Sequence, residues 1–195
     1  MKTILFFIVG MLSYVATAAQ TENKHMTFKG VPIDGTLKEF MAKMENAGFI
    51  TIETNAEHGI LKGRFAGYEE CYIVVCAHSN SKLIYSVGVE IPTSDNWSLL
   101  ETSYQHLKNM LTIKYGSPTE CVETFTGYSS PRDNIDKLLR VKMDECTYKT
   151  TFLTPNGGVI LSLGYEPALS ECVILIFYVD TINTEAGIAS NLDDL

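Results

Sequence analysis

The stretch TYKTTFLTPNGGVILSLGY, residues 147–165, decides the fold. Its two arms, Thr147 to Leu153 and Val159 to Tyr165, are rich in β-branched and aromatic residues, which suit a pleated, half-buried surface. Between them Pro155-Asn156-Gly157-Gly158 accepts the positive φ angles that a tight hairpin requires. An antiparallel pair is expected here, and Cys172 to Val179 continues it as a third strand. Upstream, Glu120 to Thr126 supplies a fourth, separated from the hairpin by a polar excursion from Gly127 to about Lys137.

The same alternation recurs earlier in the chain. Phe49 to Thr54, Leu61 to Phe65, Cys71 to Ala77 and Leu83 to Ile91 read as a four-stranded meander, punctuated at Glu57-His58-Gly59, Gly67 and His78-Ser79-Asn80-Ser81. A helix precedes each set. Thr36-Leu37-Lys38-Glu39 fits a capping box, and Leu37, Phe40, Met41 and Met44 share one helical face, so residues 36–47 should be helical until Gly48. Asp95 is the expected cap of a longer helix on which Leu100, Tyr104, Leu107 and Leu111 recur, ending at Gly116 and Pro118. A short helix is expected over Thr184 to Asn191.

The expected fold class is therefore α+β, a mainly antiparallel sheet with two long amphipathic helices on one face. Helix then four strands, twice over, suggests two tandem α-ββββ repeats, 26–92 and 93–182, within one domain spanning 20–195. Gly67-Tyr68-Glu69 before Cys71-Tyr72-Ile73 and Gly164-Tyr165-Glu166 before Cys172-Val173-Ile174 give that duplication local support.

Composition narrows the function. The chain has 195 residues, a net charge of -8, 46% hydrophobic residues and 19% charged ones, a balance unlike disordered, collagenous or basic nucleic-acid-binding chains. Met1 and Lys2, the apolar run Ile4 to Val15 and the small residues Ala16-Thr17-Ala18-Ala19 read as a signal peptide over 1–19. Its removal takes one Lys of the 15 basic residues and none of the 23 acids, leaving 14 against 23, or -9. The expectation is a periplasmic or secreted protein with no nucleic-acid partner and no membrane insertion after cleavage.

Phe28-Lys29-Gly30-Val31-Pro32-Ile33-Asp34-Gly35-Thr36, the helix ending at Gly48-Phe49, Lys114-Tyr115-Gly116-Ser117-Pro118 and Leu192-Asp193-Asp194-Leu195 carry a resemblance. Together they resemble small secreted proteins of Bacteroidota without an assigned function. The resemblance implies export and an envelope or gut setting, and brings no catalytic residues. Two tandem helix-plus-sheet units are also similar in plan to β-lactamase inhibitory proteins and to the small outer-membrane assembly lipoprotein fold. The four-strand count and the missing lipid-anchor cysteine depart from both, and fold alone does not determine function.

Candidate chemistry is sparse. Cys76 and His78 are the nearest nucleophile and base in sequence, but a thiolate needs an imidazole at hydrogen-bond distance and a group orienting it, and a buried structural cysteine is the competing reading. Five cysteines follow the leader, Cys71, Cys76, Cys121, Cys146 and Cys172. Of their fifteen two-bridge arrangements, Cys121 with Cys146 is preferred because it would close the polar excursion. The four histidines show no metal-ligand spacing, and no phosphate loop occurs, so neither metal nor cofactor is expected. Glu69 with Glu70 and Asp133 with Asp136 are carboxylate pairs in turns, where acids are ordinarily solvated. Asp180-Thr181-Ile182 resembles the site at which Bacteroidota O-glycosylate exported proteins, making Thr181 a candidate. The expected function is a non-catalytic module binding a protein or glycan, with a small envelope hydrolase or an inhibitor of a secreted enzyme as alternatives.

Overall fold

The structure, a computed structural model, describes residues 24–93, 95–127, 129–167 and 170–192. The segment read as a signal peptide, 1–19, lies outside the described residues. A two-stranded ribbon, β1 (Thr27–Phe28) and β2 (Val31–Pro32), leads into helix α1 (Leu37–Asn46). A meander follows: β3 (Ile50–Thr54), β4 (His58–Phe65), β5 (Tyr68–Ala77) and β6 (Ile84–Pro92). Helix α2 (Trp97–Tyr115) leads to β7 (Glu120–Phe125), helix α3 (Asn134–Lys142), β8 (Cys146–Thr154), β9 (Gly157–Glu166), β10 (Glu171–Asp180) and helix α4 (Thr181–Leu192).

The large sheet has eight strands, every pairing antiparallel, in the order β3-β4-β5-β6-β10-β9-β8-β7. The class is thus α+β. The final strands of the two meanders, β6 and β10, meet at the centre, while β3 and β7 form the edges. Register places Leu61, Ile73, Val89, Ile176 and Leu161 on one line across five strands, none more than 1% exposed. Because successive side chains alternate in direction, that line fixes which sheet face carries the core.

Local chemistry accounts for the helix ends. Thr36 and Glu39 form the reciprocal capping box, with the Glu39 carboxylate accepting from the Thr36 N–H at 2.9 Å. At the start of α2 the cap is Asn96, which accepts from the Leu99 N–H at 3.2 Å, and not the expected Asp95. Asp95 instead pairs with Lys142 at 2.6 Å, tying α2's entry to α3. The polar excursion proves partly helical: Asp133 caps α3 by accepting from Asp136 N–H at 2.8 Å, and Val141 goes into the core. Arg140 is buried with it, donating to the Thr126 carbonyl at 2.9 Å, and this charge on the inner side disguises the helical period.

The last helix starts at Thr181, three residues earlier than expected, because the Asp180 carboxylate takes up an N–H of its first turn. The fully buried Asp180 carboxylate accepts from Asn183 N–H at 2.8 Å and from Met26 N–H at 2.6 Å. His25 Nδ1 lies 3.2 Å from the same carboxylate. Asn183 donates onward to the Ile84 carbonyl at 2.8 Å, so one acid joins the first described residues, the centre of the sheet and α4.

Candidate functional site

The residues between the core positions point to the second face of the sheet. One line there runs Ile60, Val74, Gly88, Phe177, Ile160 and Thr151; the next runs Lys62, Tyr72, Glu90, Leu175, Ser162 and Lys149. Apart from the buried Gly88, these residues are partly exposed where their opposite neighbours are buried, and Phe177 keeps 38% of its surface. Its ring lies against Gly88: a Cβ there would meet Phe177 Cε1 at 3.2 Å, so glycine allows the aromatic to lie flat across the strand. Six strands at about 4.8 Å and five residues at about 3.3 Å give the central region roughly 480 Å². Within that footprint Val74, Phe177, Leu175 and Ile160 supply the apolar surface, and contiguous exposed apolar surface is a common mark of binding sites.

Charge is confined mostly to the rim. Lys62 pairs with Glu70 at 2.5 Å and stands over the Tyr72 ring, 5.6 Å from its centroid, while Lys149 pairs with Glu120 at 2.8 Å. The exception is Glu90, in the middle of the face between Tyr72 and Leu175. Burial, with a smaller contribution from the Glu166 charge, pushes its carboxyl above the usual carboxylate range.

The Cys76 and His78 side chains are not assembled as a nucleophile and base. Cys76 lies on the partly exposed face, opposite Ser86, and a bulge between Cys76 and Ala77 then turns the chain. The His78 ring stacks on Tyr85 at 4.3 Å, and its Nε2 sits 3.0 Å from the Asn183 carbonyl, which holds that nitrogen as a donor toward α4. Tyr85 lies near both, its hydroxyl pushed up by burial and, to a lesser degree, by Cys76. The imidazole is thus engaged by the Tyr85 ring and the Asn183 carbonyl.

Cys121 and Cys146 are not brought together either. Cys121 pairs with Thr150 and Cys146 with Phe125, so the two stand at opposite ends of the β7–β8 ladder. Four residues at about 3.4 Å separate them along the strands, roughly twice the Cα distance a disulfide spans. All five cysteines are free thiols. Burial drives the Cys146 thiol up to about 12 and the Cys172 thiol up to about 11.

The carboxylate pairs have structural work: Glu69 pairs with Arg64 at 2.8 Å, Glu70 with Lys62, and Asp133 and Asp136 build the start of α3. Thr181 is exposed on the first turn of α4, while the preceding Asp180 is wholly buried. Among the described residues, no group of three or more His, Cys, Asp or Glu side chains is placed to hold a metal ion. Nor is any helix among them long and apolar enough to cross a membrane. Glu90 was open to sequence reasoning only as the outward neighbour of Val89 and Ile91; nothing local marks its face as apolar. No protein family, curated protein or solved structure matches the chain.

Proposed function

We propose that this chain is an exported, non-catalytic interaction module that docks a protein partner on the second face of its sheet. The observation that carries the reading is the apolar centre of that face, with Phe177, Leu175, Ile160 and Val74 on adjoining strands and only Glu90 charged among them. Apolar surface of this kind favours a protein partner with its own apolar patch, since association removes both from water.

In this reading α1 and α2 both lie on the opposite face. In support, Met41 of α1 stands against Gly59, in the same alternation as Leu61, and Tyr104 of α2 meets Thr150 at 2.7 Å, on the same line as Leu161. The strand order likewise supports two α-ββββ units joined through their last strands, with α3 inserted between β7 and β8 of the second. The apolar run Ile4 to Val15 supports export, and a periplasmic or secreted location follows from it.

The test is affinity capture from extracts and culture medium of the producing cells with immobilised full chain. Leu175→Lys with Phe177→Lys should abolish recovery of a specific partner, and Ile113→Lys on α2 should retain it. Equal recovery by both variants would overturn the reading.

A further inference from the structure

Of the two sheet edges, β7 is guarded by charge: Glu120 is paired with Lys149, and Glu123 with Lys108. Charged side chains are a common way to discourage strand addition at an edge. The β3 edge is less guarded: its one charged residue is Glu53, 4.0 Å from His58 Nε2, beside a bulge between Thr51 and Glu53. It is bonded on one side only, to β4, and exposes Ile50 at 68% and Ile52 at 55%. Alongside it, between β3 and α1, runs a groove of about 560 Å³ with Leu37, Met41 and Ala42 on the helix side and Thr51 and Thr54 on the strand side. A further strand bonded to β3 would send alternate side chains into this groove, because residues along a strand point alternately to the two faces.

The groove has a charge direction. Glu45 lies at the end where β3 begins, accepting from the Thr51 hydroxyl at 2.6 Å. Lys38 and Lys82 line the other end, both exposed, beside Thr36, which is bridged to Leu83. No ion pair is formed by either lysine among the described residues, so their charge is available to a ligand.

We infer that the β3 edge and its groove bind an extended peptide segment as a ninth antiparallel strand. Its alternate apolar residues enter the groove, and acidic residues at its amino-terminal end meet Lys38 and Lys82. Main-chain bonds to β3 supply the pairing and the lysines set direction, a recognition mode in which backbone gives affinity and alternate side chains give specificity. This site is separate from the docking face proposed above and does not depend on it.

The probe is a fluorescein-labelled synthetic peptide of two aspartates followed by three valine–threonine pairs, titrated by anisotropy into the full chain. Binding should weaken at least about tenfold in the Lys38→Glu, Lys82→Glu double variant and be restored there by a peptide with lysines replacing the aspartates. N-methylation of alternate peptide amides should weaken it similarly in the wild type, and Phe177→Lys should leave it unchanged. Circular dichroism of each variant verifies folding; both lysines are exposed, so the fold should persist. No binding up to about 1 mM, binding indifferent to the lysine exchange or to N-methylation, or a dimer of the chain itself closing the β3 edge in sedimentation, would each overturn the inference.

Discussion

Neighbouring residues on β10 give opposite expectations for stability. Ile176 points into the core, 1% exposed, between Val89 and Leu161, whereas Phe177 points to the other face and keeps 38% of its surface. Ile176→Ala removes three carbons, worth about 2.4 kcal/mol at about 0.8 kcal/mol each, and the cavity left raises the loss to about 3–4 kcal/mol. Phe177→Ala removes a larger group, yet forfeits only a cross-strand contact with Gly88 and partial burial, about 1 kcal/mol. For a chain of this size 1 kcal/mol moves Tm by about 2–4 °C. Ile176→Ala should therefore lower Tm by about 10 °C and Phe177→Ala by about 3 °C, read by calorimetry at pH 7. Equal losses, or a larger loss at Phe177, would refute the assignment of core and docking face.

Asp180→Ala should cost about 3–5 kcal/mol in urea unfolding, because it orphans two buried N–H donors at about 1–3 kcal/mol each; a loss below about 1 kcal/mol would contradict the clasp between Met26, the sheet and α4. Iodoacetamide at pH 8, mapped by mass spectrometry, should label exposed Cys121 rapidly and leave Cys146 and Cys172 unmodified, since their thiols titrate at about 12 and about 11. Glu90 titrates above its unfolded value, so its contribution is fully favourable only below the unfolded pKa of 4.5 and is lost as pH rises through the folded one. Glu90→Gln should accordingly raise Tm at pH 7 and make little difference at pH 4; a lowered Tm at pH 7 would contradict this.

The strands and the first helix were legible because local patterns and tertiary packing agree there. The capping box at Thr36 and Glu39 and the turn at Asn156-Gly157 have local causes, though Gly157 also answers to a distant one: a Cβ there would meet the Val179 carbonyl oxygen at 2.0 Å. Helix α3 was hidden because its inner side carries Arg140, which donates to the Thr126 carbonyl 14 residues away. His78 follows Cys76 by two residues in sequence, yet the partner of its imidazole, the Asn183 carbonyl, lies 105 residues further on, where no local pattern points to it. Cys121 and Cys146 flank the excursion in sequence, but antiparallel register sends them to opposite ends of one ladder. Alternation along β6 and β10 distinguishes two faces, and only the assembled sheet identifies which is buried.

The most direct test of the docking face places a photo-crosslinking phenylalanine analogue at position 177, or at position 113 on α2, where Ile113 is 87% exposed. The full chain is irradiated in the cells that produce it. A discrete protein adduct from position 177, with none from position 113, is the predicted result. Adducts from position 113 alone, or from neither position, would contradict the account.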